Sequence, residues 1–470
     1  MFEAENGVSF YLRRIFLLLA SLSLSACAQF SAGNLFSHYS AQNNDLHQAV
    51  KVGDYSRAAE HVPDQVAGDI LDNLEKGRVY FLDQQYEQSK TALELSDSAV
   101  TQQQDQAVIS VSSTATSVGS LAINDNLSEY TPADYELGFL HLYLGLNYLQ
   151  RNQLEGALVE MRRANLVQEQ ARQNRQAELE RAQKELRSNG VSPNLGAVLA
   201  QYPDAGTTLQ AVQNGYLLYL SALLYEASND LNSAYVDYRR ALAVAEDNQS
   251  VIDGTLRVAQ RLGMREDLRQ LSERYGVSSS LRPQQGRVII IEEQGVVDSR
   301  QGWRLSLPLS DSRGNTALYS LALPYYGSSQ QETFSPLQLN QSMFMGDLLT
   351  DVHLMAQHDL SERIPTMVIR QALRVVVKDQ IRKESTQSDG IGNLIFNVFN
   401  TLTEQPDTRS WLTLPDRVLT HSEVVGSGEQ VLQVGTQHYR FTVPEGGTTL
   451  VWLSRQGSNA TLWHKQLGRL

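Results

Sequence analysis

The feature that most restricts what this chain can fold into is a spacing of small and bulky residues that occurs three times. Gly145, Tyr148, Ala157, Met161 and Ala164 are separated by 3, 9, 4 and 3 positions, and Ala222, Tyr225, Ala234, Tyr238 and Ala241 repeat those gaps. Gly77, Tyr80, Ser89, Leu93 and Ser96 make a weaker copy that precedes Gly145 by 68 residues, two periods of 34. Positions three and four apart share one face of a helix, so each copy describes two helices in contact. The small residues let the helices touch and the larger ones fill the space between them. Asn229-Asp230 stand where the second copy needs its helix-to-helix turn.

These gaps match the tetratricopeptide pattern, in which stacked helix pairs build a solenoid. The expected fold class is therefore α+β: an irregular tetratricopeptide-like α-solenoid over 46–280, followed by a smaller mixed α/β domain over 281–470. Gly53-Asp54-Tyr55, ahead of Ala58-Ala59, marks the turn of a first helix pair. VISVSSTATSVGS, 108–120, breaks the helical pattern with β-branched and serine residues and reads as a loop. The polar stretch 168–188 extends the second helix of the clearest copy and projects into solvent or toward a partner. A linker is expected at 275–286, then short strands in RVIIIEEQ, WRLSLPLS and ALYSLALPYYG. Beyond them the pattern predicts a helix from about Leu348 to Lys383, restarted at Pro365, a second apolar helix in GIGNLIFNVFNTLTEQP, and a closing antiparallel sheet.

Location is written at the other end of the chain. Arg13 and Arg14 precede the apolar run IFLLLASLSLSA, 15–26, which stops at Cys27, the sole cysteine. Twelve residues are too few to span roughly 30 Å of hydrocarbon as a helix, so the run reads as an export signal. Leu24-Ser25-Ala26-Cys27 resembles the bacterial lipobox, which implies cleavage before Cys27, acylation of that residue and, with Ala28 after it, sorting to the outer membrane. Glu3 and Glu5 depart from the positive leader that such signals carry. The expected division is a signal peptide at 1–26, a lipidated tether at 27–45, and a body facing the periplasm.

The lipobox at 24–27, PADYE at 132–136, HLYLGLNYL at 141–149, GALVEMRRA at 156–164, LPYY at 323–326, IPTMVIRQALR at 364–374 and DTRSWLTLPD at 407–416 together resemble a family of bacterial outer-membrane lipoproteins with amino-terminal tetratricopeptide-like repeats. The resemblance implies a cell-envelope protein and brings no catalytic residues with it.

Composition and motifs narrow the chemistry. A formal charge of -13 argues against a nucleic-acid partner, because neutralising phosphates needs a positive surface. Neither a G-x-S-x-G elbow, a phosphate loop nor an H-E-x-x-H helix is present, and no metal or cofactor is expected. His353 and His358 diverge by about 140° on a helix, a poor metal clamp. Glu292 and Glu293, adjacent on a strand, point to opposite faces and cannot work as a glycosidase pair.

The leading expectation is a non-enzymatic scaffold whose concave helical face binds an envelope protein, with Tyr148, Arg162, Tyr216, Tyr219 and Tyr225 at the binding groove or supporting it. The alternatives are a module for peptidoglycan or another cell-wall glycan, and a carboxylate-based hydrolase. For glycan or anion contact the candidates are Tyr325, Tyr326, Arg370, Arg374, Arg409 and Trp411. Outer-membrane lipid is the further partner, through acylated Cys27.

Overall fold

A computed structural model describes residues 38–112, 129–188, 192–193, 214–276, 281–310, 316–327, 332–385 and 406–470. Among the described residues five helix pairs follow one another: α1 (Asn44–Lys51) with α2 (Tyr55–Glu60), α3 (Asp69–Leu82) with α4 (Tyr86–Ser112), α5 (Asp134–Gln150) with α6 (Leu154–Ser188), α7 (Gly215–Ala227) with α8 (Leu231–Val244), and α9 (Gln249–Leu262) with α10 (Arg265–Tyr275). Each pair turns on one residue in the left-handed region: Gly53, Gln84, Asn152, Asn229 and Gly263, with φ between 62° and 77°. Glycine and asparagine reach that region at low cost, which is why they hold four of these five turns. Asp54 and Asp230 then cap the second helix by accepting from the amides of Arg57 and Ser233 at 3.2 Å.

The spaced residues meet as their pattern requires. A Cβ on Gly145 would lie 2.5 Å from Met161 Cε, and one on Gly77 would lie 2.5 Å from Leu93. The serines of the weaker copy do more than stay small. Ser89 and Ser96 donate to the carbonyls of Gly77 and Ile70 at 2.7 and 2.9 Å, tying α4 to α3. Residues 108–112 belong to α4 and not to the loop expected at 108–120; the rest of that stretch lies outside the described residues.

Among the described residues the strands form three sheets. The largest runs in the order β12-β11-β2-β8-β7, from β2 (Gln285–Gln294), β7 (Asp347–Asp351), β8 (Arg417–Gly426), β11 (Thr448–Gln456) and β12 (Asn459–Gly468). Its β2–β11 pairing is parallel and the others are antiparallel. A second sheet, β10-β9-β5-β6, uses β5 (Leu337–Leu339), β6 (Ser342–Phe344), β9 (Gly428–Val434) and β10 (Gln437–Val443). The third joins β1 (Ser192–Pro193), β3 (Gln301–Ser310) and β4 (Thr316–Tyr325).

Strand periodicity makes the large sheet the middle layer of three. Along β2 and β11, Ile289, Ile291, Leu450 and Trp452 enter the hydrophobic cluster of the helices, whereas Val288, Ile290, Val451 and Leu453 enter a separate cluster with the second sheet. A strand buried on both faces has no polar alternation to show, as the run RVIIIEEQ indicates.

Helix gives way to strand between Tyr275 and Gln285, and one hydrophobic cluster extends from Tyr39 to Leu467 across that change. Two expectations need correction. Residues 347–351 are the strand β7, not the start of a helix, because they pair with β8. The helix α11 (Val352–Ser385) passes through Pro365 without restarting; buried Leu360, Ile364, Val368 and Ile369 on either side of the proline hold the turn in place. The apolar helix expected in GIGNLIFNVFNTLTEQP, 390–406, lies outside the described residues but for Pro406.

Candidate functional site

Where the helices meet the large sheet, the apolar contact encloses a charged pair. Arg78 of α3 donates to Glu293 of β2 at 2.5 Å, and neither side chain is exposed. The other Glu293 oxygen accepts from Tyr143 of α5 at 3.2 Å, Tyr216 of α7 at 3.1 Å and the Trp452 indole of β11 at 3.2 Å. Arg78 also reaches Ser454 Oγ and the Thr413 carbonyl at 3.1 and 3.3 Å and lies over the Tyr143 ring. Burial opposes the arginine's charge, but Glu293 beside it more than compensates and raises its pKa. The phenols of Tyr143 and Tyr216 are driven well above their usual range by burial and by Glu293. These groups bond to one another and are closed to solvent, with Arg78 Nη1 left without a partner among the described residues, so they join layers and present no binding surface.

A second buried arrangement holds a turn at 411–414 against the first helices of the pairs. Backbone amides need partners once water is excluded. Trp411 N donates to Glu136 of α5 at 2.8 Å and Leu412 N to Glu75 of α3 at 2.6 Å, with Thr413 Oγ1 also donating to Glu75 at 2.6 Å. Burial pushes Glu75 up to about 8, although Thr413 and the Leu412 amide pull the other way. The concave face expected to receive a foreign segment is thus occupied by 411–413 and by the sheet.

The opposite side of the array is open. A groove of about 550 Å³ runs between the second helices α6 and α8, lined by Arg162, Asn165, Leu166, Glu169, Tyr225, Asn232, Ser233, Val236, Asp237 and Arg240. Asn165 contacts Asp237 at 3.0 Å and Arg240 reaches Glu169 at 3.7 Å, so the two helices run parallel. Asp237 forms the floor, accepting from Ser221 Oγ at 2.6 Å, and its pKa is raised by burial against those hydrogen bonds. Leu166 and Val236 stand on the rim, 51% and 56% exposed. Arg162 lies 5.8 Å from the Tyr225 ring, whose phenol burial raises and Arg162 lowers.

The candidate residues therefore separate. Arg162 and Tyr225 line the outer groove; Tyr148 is half-buried beneath Gly156 and donates to Glu94 at 3.2 Å. Tyr216 is buried on the sheet side, where its hydroxyl meets Glu293 and Trp452, and Tyr219 is buried edge-on to Tyr238 of α8, so neither touches open surface. Trp411 is fully buried edge-on to Tyr143, which rules out its ring as a glycan platform. Tyr325 donates to Gln301 at 2.6 Å, and Tyr326 accepts from buried Arg300 at 3.1 Å. Arg409 is neutralised by Asp407 at 2.8 Å and is not a free anion contact. Arg370 is exposed on α11; the Arg374 side chain and Cys27 lie outside the described residues.

Glu292 and Glu293 do face opposite ways, the former to Arg455 and the latter to Arg78. Among the described residues no cluster of His, Cys, Asp or Glu could hold a metal, and no helix is long and apolar enough to cross a membrane.

Sequence reasoning missed Glu75, Arg78, Glu136 and the buried Glu226, which Arg257 and Arg261 hold at 2.8 and 3.2 Å. Burial raises the Glu226 pKa, but Arg257 outweighs it and the carboxyl ends below its usual range. A charge inside an otherwise apolar run, as in GYLLYLSALLYEA, was the signal available.

No known family's sequence profile matches the chain, and no curated protein does. Solved structures that it resembles include MamA AMB-1, at 13% identity over 51% of this chain and 93% of that one with a TM-score of 0.27. MamA MSR-1 is 13% identical over 50% and 95% with a TM-score of 0.25. The TPR2AB domain of yeast Sti1 in its pHSP90 complex is 10% identical over 50% and 87% with a TM-score of 0.20. Scores this low carry no weight; the helix-pair assignment rests on the shared turns and contacts described above.

Proposed function

We propose that the chain is an outer-membrane lipoprotein, anchored through acylated Cys27, whose body acts in the periplasm as a non-enzymatic scaffold and binds a protein partner in the groove between α6 and α8. The single observation behind this reading is that groove: two parallel helices hold it open, and aliphatic side chains stand exposed beside an arginine and a tyrosine, the residue types on which binding energy concentrates. The concave face is filled from within, so the outer face is where a repeat array of this build can receive another protein.

Two experiments test it. Metabolic labelling with palmitate should mark the wild-type chain and not Cys27→Ala, which should leave the membrane fraction; an unlabelled wild-type chain would sink the anchor. Leu166→Asp with Val236→Asp should remove the proteins that crosslink to the tethered chain without lowering its melting temperature. Retention of every crosslinked protein in that variant, or sedimentation with purified sacculi in place of protein capture, would overturn the scaffold.

A further inference from the structure

The two walls of the groove carry the same order of side chains with different electrostatics. Val159, Arg162 and Leu166 follow one another along α6 at one-turn spacing, and Val236, Arg240 and Val244 do so along α8. The four aliphatic residues are 39% to 56% exposed; Leu166 and Val236 line the groove beside the arginines, and Val159 and Val244 continue the same helices outside its lining. Arg240 is neutralised within the protein, by Glu169 at 3.7 Å and Asp237 at 3.5 Å. Arg162 is exposed and pairs with no carboxylate among the described residues, and its guanidinium lies by the Tyr225 ring. One uncompensated cation stands beside uncovered aliphatic surface in an acidic molecule.

Resting on the scaffold reading above, we propose that the groove takes an extended segment of a protein partner in which an Asp or Glu side chain lies two residues from an aliphatic one, the carboxylate on Arg162 and the aliphatic side chain between Leu166 and Val236. The dimensions select that spacing. Arg162 and Leu166 are four residues apart, a rise of about 6 Å on a helix, while side chains two apart on an extended chain point the same way about 6.6 Å apart. The guanidinium fork suits a carboxylate, and Tyr225 behind it limits the arginine's freedom and excludes water from one face. A cationic segment has no place here, since Glu169 and Asp237 already share Arg240.

The test uses the full chain, membrane-anchored in its own envelope, with the photocrosslinker p-benzoylphenylalanine at Leu166 or Val236 and, as a control, at exposed Leu95 of α4. Adducts are mapped to the crosslinked partner peptide by mass spectrometry. The expected peptides carry Asp or Glu two residues from Val, Ile or Leu. Arg162→Glu should lower adduct yield from both groove positions about tenfold, the loss of one charge-assisted hydrogen bond, and leave the Leu95 adducts unchanged. Changing the mapped partner acid to Arg in the Arg162→Glu background should restore the yield, which a folding defect would not permit. Adducts that ignore Arg162→Glu, or that map to segments without this acid-and-aliphatic spacing, overturn the inference and leave the groove a partner site. No adducts from either groove position, beside adducts from Leu95, overturn the groove itself.

Discussion

Replacing Arg78 with Met would leave the Glu293 carboxylate buried with three hydroxyl or indole donors and no cation. Removing one member of a buried pair generally costs about 3–5 kcal/mol, and urea unfolding of Arg78→Met should show a loss of that size. A loss below about 1 kcal/mol would mean that water enters the interface. Glu75 makes a separate statement about pH. Its pKa is near 8 in the folded chain, against an ordinary 4.5, so the native state keeps a proton that the unfolded state has released. The proton-linked stability is complete below about pH 4.5 and is lost as the pH rises to about 8. Denaturation midpoints across that window should fall with pH, and Glu75→Gln should flatten the slope; an unchanged slope in the variant would assign it to other groups.

At the scale of the element, the small positions of the repeats are not equivalent, and the physical difference is which atom faces the missing Cβ. On Gly145 it meets the end of Met161, a flexible thioether that can swing aside. On Gly254 of α9 it would come within 2.3 Å of the Tyr238 ring, which is buried, held by Glu226 at 2.9 Å and edge-on to Tyr219. Gly145→Ala should therefore change the melting temperature little, its overpacking offset by alanine's better helix propensity. Gly254→Ala should cost about 1–3 kcal/mol. Equal effects in thermal unfolding would show that both pairs relax alike. The turns and the small-to-large contacts of α3 to α8 were legible because they are local: 3.6-residue periodicity and turn chemistry act within some thirty residues. Strand β7 was not legible, since DLLTD becomes a strand only by pairing with β8, seventy residues away along the chain.

At the scale of the molecule, the helices and the large sheet share one core, so neither should persist alone. The first helices α3, α5 and α7 bury Phe81, Tyr143 and Tyr216 against Trp452 and its neighbours. A fragment ending at Gly276 would expose that apolar face, and it should bind hydrophobic dyes or aggregate where the full chain does not. Trp411 and Trp452, both buried at the joint, report its opening by fluorescence. Their transition in urea should coincide with the loss of helix by circular dichroism; a fluorescence change that precedes helix loss would show two independent units.

Sequence alone pointed to the helix pairs from α1 to α8, the turns at Gly53-Asp54 and Asn229-Asp230 and the change to strands near 280, because each is set by residues close together in the chain. It also placed Arg162 and Tyr225 among the candidates. Only the tertiary structure decided which face of the array stays open. Tyr216, Tyr219 and Trp411 have the chemistry of binding residues and became core because Tyr216 packs on the sheet at Trp452 and Glu293, Tyr219 on Tyr238 of α8 and Trp411 on Tyr143 of α5. The sheet and the 411–413 segment also give Glu75, Glu136 and Arg78 partners more than two hundred residues away. Contacts at that separation leave no periodicity in the sequence, since they depend on how finished layers stack.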